Sequence, residues 1–85
     1  MGAHFTVTRA RSAILARIAA GASVADAAAA SGVTREGVWR AFRLDPEWRK
    51  ARIQGLHAQV RIKTGKRKAW AALELMRRSK AWGID

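Results

Sequence analysis

Two short helices joined by a tight glycine turn are predicted for residues 24–43, and no other feature constrains the fold as strongly. The sequence there reads VADAAAASGVTREGVWRAFR. Ala28 is a small residue where two helices would cross, Gly32 can adopt a positive φ in the turn, and Val38 is a branched residue that would anchor the second helix. This is the spacing of a helix-turn-helix, a motif whose second helix enters the major groove of DNA.

Three helices are predicted within the first 44 residues from their N-terminal caps and glycine stops. On the first of them, Ile14, Leu15 and Ile18 recur at the spacing of one apolar helical face. Ser, Thr and Asp accept hydrogen bonds from the unpaired amides of a first helical turn, and glycine commonly follows a last turn. The predicted spans, caps included, are Thr8 to about Ala20 with a stop at Gly21, Ser23 to Gly32, and Thr34 to about Arg43.

A fourth helix is predicted to start at Asp45 and Pro46, because Asp is a good cap and proline suits the first helical position. We expect it to run to about Ile62, although residues 60–64 alternate in a way that also suits a short strand. Its apolar residues form two sets, so one face is expected to close the small core and the other to meet a partner. The sets are Trp48, Ala51, Ala58 and Ile62, and Ile53, Leu56 and Val60.

The segment from Lys63 to Lys68 carries four basic residues around Gly65 and is predicted to be a break or mobile loop. A last helix follows, with apolar residues on two opposite faces. These are Ala69, Trp70, Leu73 and Met76 on one, and Ala71, Leu75 and Trp82 on the other. The predicted fold class is therefore all-α: a three-helix helix-turn-helix domain over residues 1–44, then one or two helices over residues 45–85 for packing and oligomerisation.

The charge of the chain limits the choice of partner. Seventeen Lys and Arg against six Asp and Glu give a net charge of +11, so the expected partner is a polyanion, either nucleic acid or an acidic membrane surface. Cysteine is absent and the histidines His4 and His57 are isolated, so we expect no disulfide, metal or other cofactor. No apolar run approaches a membrane span and no signal peptide is evident, which predicts a soluble protein of the cytoplasm.

An enzymatic role is not expected, because the sequence offers no nucleophile with its base, no carboxylate pair and no phosphate-cradling loop. The second helix of the motif instead offers candidate DNA contacts. Thr34 and the first amides suit a phosphate, Arg35 suits a guanine edge, and Glu36 can accept a hydrogen bond from cytosine. Arg40 and Arg43 suit phosphates. Alternatively, Glu36 and Arg40 pair with each other on a solvated surface.

Trp39 has two interpretations: it braces the sugar-phosphate backbone, or it packs beside Phe42 as part of the core, which we favour. Gly37 destabilises this helix by roughly 1 kcal/mol relative to alanine. Either the DNA approaches the backbone closely at this glycine, or the helix is marginally stable and discriminates weakly between DNA sequences. The basic segment is a further candidate for phosphate contacts, with a solvated loop as the alternative. Its candidate residues are Lys63, Lys66, Arg67 and Lys68.

The order GASVADAAAASGVTREGVWRAFRLDPEW resembles the N-terminal DNA-binding domain of phage terminase small subunits, over about a third of the chain. A bulky aromatic common in that family is replaced by Ala41, with Phe42 beside it. The elements that carry the resemblance are Gly21, Ala27 and Ala28, Gly32 to Arg35, Trp39 and Arg40, and Asp45 to Trp48.

The resemblance implies a component of a genome-packaging motor that marks viral DNA, assembles into a ring through its later helices, and delivers DNA to the large terminase subunit. A reduced form, such as serves a gene transfer agent, or a fragment of a longer protein, would account for the short chain. Two other functions stay open. One is a phage-type transcriptional regulator that binds a palindrome as a dimer. The other is a module that binds an acidic membrane surface or docks a protein.

Overall fold

The computed structural model describes residues 10–84, which form five α-helices and, within that range, no strand. The predicted all-α class is therefore confirmed for this part of the chain. The fourth helix continues through Ile62, so residues 60–62 are helical rather than extended. The helices are α1 (Arg11–Ala19), α2 (Val24–Ala30), α3 (Arg35–Leu44), α4 (Pro46–Ile62) and α5 (Gly65–Trp82).

Side-chain caps fix the starts of the three middle helices, as predicted. Ser23 Oγ and Thr34 Oγ1 each accept a hydrogen bond from the backbone N–H three residues on, at 3.0 and 3.1 Å. Asp45 Oδ1 accepts one from the amide of Glu47 at 2.9 Å, and the proline after it occupies the first turn of α4. The cap predicted at Thr8 lies outside the described residues.

The turn between α2 and α3 is a compact helix stop built on Gly32. That glycine has φ +68°, a left-handed conformation that costs other L-residues about 1 kcal/mol or more. Its amide donates to Ala29 O at 3.2 Å, and the amide of Val33 donates to Ala28 O at 3.1 Å, so the last carbonyls of α2 are satisfied. The chain therefore enters α3 in a fixed direction, with Val33 packed against the core.

One hydrophobic core joins α1, α2, α3 and the first half of α4. Ile14 and Ile18 of α1 and Val38 and Phe42 of α3 are almost fully buried, and Trp48 of α4 packs with them. The remaining buried members are the small residues Val24, Ala27, Ala28 and Ala51. The predicted boundary between residues 44 and 45 thus runs between helices that share a core.

The backbones of α1 and α4 approach each other closely at Gly55. A Cβ atom added there would lie 1.9 Å from the carbonyl oxygen of Ile18. Gly21, at the turn after α1, has φ +107° and would place a Cβ 3.3 Å from that of Ala58. Small residues on both sides thus let the backbone of α1 rest directly on α4.

The helix α5 packs along α4, so the burial of the apolar faces of α4 differs from the prediction. Ile53 and Leu56 are 3% and 0% exposed and Trp48 of the other set is 3% exposed, so both faces are largely covered within the chain, and the expectation that one of them meets a partner was wrong. Ile62, at the C-terminal end of α4, is 68% exposed. These residues lie on α4 at positions whose neighbours only the tertiary arrangement determines.

The predicted loop over residues 63–68 is also wrong. Only Lys63 and Thr64 connect α4 to α5, and the basic residues after Gly65 form the first turns of α5. Lys and Arg have good helix propensity, and the amide of Lys68 donates to Thr64 O at 3.4 Å. Packing of the fully buried Ala71 against the rest of the chain gives the early turns of α5 a support that local charge patterning does not reveal.

Candidate nucleic-acid interface

The outer face of α3 carries four charged side chains. Arg35, Glu36, Arg40 and Arg43 are all exposed, whereas Val38 and Phe42 on the inner face are buried. Glu36, Arg40 and Arg43 recur at i, i+4 and i+7, so they form one stripe along the helix. Glu36 and Arg40 form no ion pair within the described residues, so the pairing proposed as an alternative is not seen here.

The first turn of α3 is arranged like a helix-terminal anion site. Thr34 is exposed, and its oxygen is occupied by the amide of Gly37, which leaves the hydroxyl proton free to be donated. The first amides of a helix have no partner within it and favour negative charge. Thr34 and Arg35 therefore bring a hydroxyl, a helix terminus and a guanidinium together.

Trp39 is packed against the chain rather than turned outward. It is half-buried, and its ring makes an edge-to-face contact with Phe42 at a centroid distance of 5.0 Å. The guanidinium carbon of Arg78 lies 5.0 Å from the centre of the same ring. Of the two roles considered for this tryptophan, the geometry corresponds to packing beside Phe42.

The basic residues near the start of α5 are far from α3. Lys66, Arg67 and Lys68 are exposed, and Lys63 in the connection is half-buried. It is the other end of α5 that reaches α3, where the ring of Trp82 lies 6.0 Å from that of Phe42. The helix rises about 24 Å between residues 66 and 82, so the two predicted groups of DNA-contacting residues are not brought together.

The C-terminal end of α5 and α3 instead enclose a cleft that the sequence did not predict. Its volume is about 550 Å³, and Phe42 contributes to its wall. We refer to it as the arginine–tryptophan cleft. Its other lining residues are Glu36, Trp39, Arg43, Arg49, Arg78 and Trp82.

Arg78 is the central residue of this cleft. Its guanidinium carbon lies 5.0 Å from the ring centre of Trp39 and 5.4 Å from that of Trp82, which are cation–π distances. Its Nε donates to Glu74 Oε1 at 2.7 Å. The spacing of residues 74, 78 and 82 at four-residue steps was visible in the sequence as one helical stripe, but its approach to α3 depends on tertiary packing.

A second arginine, Arg52, lies buried on α4, three residues after Arg49. It is only 4% exposed, and its Nε and one terminal nitrogen have no hydrogen-bond partner. Burial lowers the pKa of Arg52, the nearby charge of Arg78 lowers it further, and the carboxylate of Glu74 partly offsets both effects. Arg52 is therefore a buried cation close to the ion pair of Arg78 with Glu74, whose carboxylate Arg78 already binds.

Much of the negative charge of the described residues is held in ion pairs. Arg11 of α1 binds Asp45 at 3.3 Å and Glu47 at 2.7 Å. These hydrogen bonds, first that of Glu47 and then that of Asp45, raise the pKa of Arg11. With Glu74 bound by Arg78, three of the five carboxylates between residues 10 and 84 are paired, and the positive charge of α3 is little offset.

No protein-family model matches the chain, and comparisons with curated proteins and with solved structures found no match. Among the described helices, none combines the length and the apolar character that a membrane crossing requires. The case for function therefore rests on the geometry and charge of the two sites described above.

Proposed function

We propose that this chain binds double-stranded DNA through α3 and acts as a small-terminase-like protein that marks DNA for packaging. In this proposal α2, the Gly32 turn and α3 work as a helix-turn-helix. The supporting observation is that α3 buries Val38 and Phe42 on one face while Arg35, Arg40 and Arg43 stand exposed on the other. A helix whose inner face is packed in the core can present its charged outer face to a DNA groove while it stays attached to the domain.

Each exposed residue of α3 has a proposed role. Thr34 and the helix terminus bind a phosphate, which sets the depth of the helix in the groove. Arg35 donates two hydrogen bonds to a guanine edge and Glu36 accepts one from cytosine, each worth about 1–3 kcal/mol of discrimination. Arg40 and Arg43 bind phosphates along the helix. The basic residues 63–68 provide phosphate contacts at a second position, about a helix length away.

The proposal includes assembly into an oligomer that recruits the large terminase subunit. Support for assembly comes from α5, where Trp70, Leu73 and Met76 lie on one face and are 53%, 55% and 69% exposed. Contiguous exposed apolar residues of this size are typical of protein-binding surfaces. An oligomer also multiplies the modest affinity of one α3 helix, because the second and later contacts become intramolecular.

The decisive experiment compares Arg40→Gln with Arg17→Gln in duplex binding over a range of salt concentrations. Both substitutions remove one exposed arginine, but Arg17 lies in the last turn of α1. Log K falls as log salt rises, and loss of one phosphate contact makes this fall less steep by about 0.9 in slope. We expect this change for Arg40→Gln and little change for Arg17→Gln, measured by fluorescence anisotropy.

Equal effects of the two substitutions would contradict binding through α3. Native mass spectrometry of the same complexes gives the stoichiometry. A dimer on one short inverted repeat would indicate a transcriptional regulator instead of a packaging protein. Binding to anionic vesicles without binding to duplex would indicate a module for membrane surfaces.

A further inference from the structure

The arginine–tryptophan cleft combines cationic and aromatic groups in a volume suited to a small ligand. We propose that it is a binding site for a nucleotide, with the phosphate held by Arg43, Arg49 and Arg78 and the base against Trp39 and Trp82. Its volume of about 550 Å³ lies within the usual range of small-molecule sites. Glu36 and Arg43 also belong to the groove-facing stripe of α3, but the other lining residues do not, and the inference stands on the binding of a free nucleotide rather than on duplex binding.

The charge of the cleft favours an anionic ligand. Arg43, Arg49 and Arg78 come from three different helices and line one space. Arg52, whose charge interacts with that of Arg78, is almost fully buried and has two nitrogen atoms unpartnered. Guanidinium groups brought together in this way repel one another, and a phosphate would offset that cost through short charge-assisted hydrogen bonds.

The aromatic lining favours a base over a simple anion. Trp39 and Trp82 contribute two indole rings and Phe42 a third aromatic surface. Stacking of a nucleobase on such rings is worth about 1–3 kcal/mol and tolerates different bases. Glu36, also part of the lining, offers a carboxylate that can accept a hydrogen bond from an exocyclic amino group.

The same chemistry is available from a free nucleotide and from the terminal nucleotide of a DNA strand. Calorimetric titration of the full chain with dGMP, with deoxyguanosine and with inorganic phosphate separates the contributions of base and phosphate. We expect dGMP to bind one per chain and at least about tenfold more tightly than either component. Binding of dGMP no tighter than that of phosphate would overturn the proposal.

The matched variants are Arg49→Gln in the cleft and Arg17→Gln outside it, with circular dichroism as a check of folding. We expect Arg49→Gln to weaken dGMP binding at least about tenfold and Arg17→Gln to change it less than twofold. Because Arg49 is half-buried, the exposed Arg43→Gln gives a second test in the same direction. No effect of either cleft variant would overturn the proposal.

Two duplexes distinguish the source of the ligand and separate this proposal from duplex binding. A dumbbell duplex with closed ends competes with dGMP only through Glu36 and Arg43, so stronger displacement by a blunt-ended duplex supports the site and assigns it to a DNA end. Equal displacement by the two duplexes supports a free nucleotide that shares these two residues with the duplex. If neither duplex displaces dGMP, the ligand of the site is a free nucleotide. If the dumbbell fails to bind while dGMP binds, only the proposed DNA-binding function fails. If the dumbbell binds in an Arg40-dependent manner and dGMP does not bind, only the cleft proposal fails.

Discussion

At the scale of single residues, Gly55 has the clearest physical role. The carbonyl oxygen of Ile18 occupies the position that a side chain on residue 55 would need, and backbone atoms cannot move aside as a side chain can. We therefore expect Gly55→Ala to force α1 away from α4 and to destabilise the fold by about 3 kcal/mol or more. Urea unfolding followed by circular dichroism measures the change.

The adjacent exposed residue provides the control for this substitution. Gln54→Ala is expected to change the free energy of unfolding by less than about 0.5 kcal/mol, because the side chain is in solvent and alanine suits a helix. Equal stability of Gly55→Ala and the parent would mean that α1 and α4 do not cross at this point.

Arg52 is a residue whose removal should help the fold. Its charge is buried, and two of its nitrogen atoms have no partner. Arg52→Met keeps much of the side-chain volume and removes the charge, so we expect stabilisation by about 1 kcal/mol. In a domain of this size that raises the melting temperature by about 4–8 °C, measurable by calorimetry.

Arg61→Met, on the exposed part of α4, is the matched control and should leave the melting temperature nearly unchanged. A loss of stability in Arg52→Met of about 1 kcal/mol or more would contradict the view that this guanidinium is under-satisfied. The lowered pKa of Arg52 has the same origin, since burial disfavours the charged form in the folded state.

Capping residues were the most predictable feature at this scale, and buried charge was the least. Ser23, Thr34 and Asp45 act on amides two or three positions away, so the sequence contains the whole interaction. Arg52 differs from the exposed arginines only in what covers it. That depends on how α5 lies along α4, which no local pattern encodes.

At the scale of helices, α5 supports α3 through a few aromatic contacts at its C-terminal end. Trp82 packs on Phe42, and Arg78 lies over the rings of both Trp39 and Trp82. We expect Trp82→Ala to destabilise the protein by about 2 kcal/mol, less than for a fully buried tryptophan because Trp82 is only half-buried. We also expect faster hydrogen exchange in both α5 and α3.

His57→Ala removes a ring from an exposed position of α4, outside the cleft and the proposed subunit contact, and is the control. It should change the unfolding free energy by less than about 0.5 kcal/mol and leave the exchange of α3 amides unaltered. Protection of α3 that is the same in both variants would show that α3 is stable without α5.

Helix boundaries followed from sequence wherever a cap or a glycine stop marked them. The Lys63–Lys68 segment was misjudged because a cluster of like charges around a glycine is locally unfavourable in a helix, and its support comes from elsewhere. The two apolar faces of α5 were correctly divided, with Ala71 inside and Trp70, Leu73 and Met76 outside. The partner of the second face of α4 was not predictable, since it is the following helix.

At the scale of the whole molecule, the exposed apolar face of α5 is the proposed contact between subunits. Leu73→Lys places a charge in the middle of this face and is expected to reduce the sedimentation coefficient to that of a monomer, while the parent sediments as an oligomer. The physical reason is the cost of burying an unpaired charge. Sedimentation velocity at several concentrations measures both.

Ala81→Lys adds the same charge at another exposed position of α5 and should leave the assembly intact. A parent protein that is monomeric at high micromolar concentration would contradict the proposed oligomer. The arginine–tryptophan cleft also belongs to this scale: three helices contribute its walls, so no single segment of sequence predicts it.

The contact of Gly55 with the carbonyl of Ile18 has a consequence for tracing the ancestry of this fold. Surface arginines can be substituted during evolution as the recognised ligand changes, whereas two backbones in contact leave room only for glycine. A distant descendant that keeps this crossing must keep a glycine there, even after its surface chemistry has diverged beyond comparison. Kinship is therefore better sought in the small residues between α1 and α4 than in the charges that do the binding.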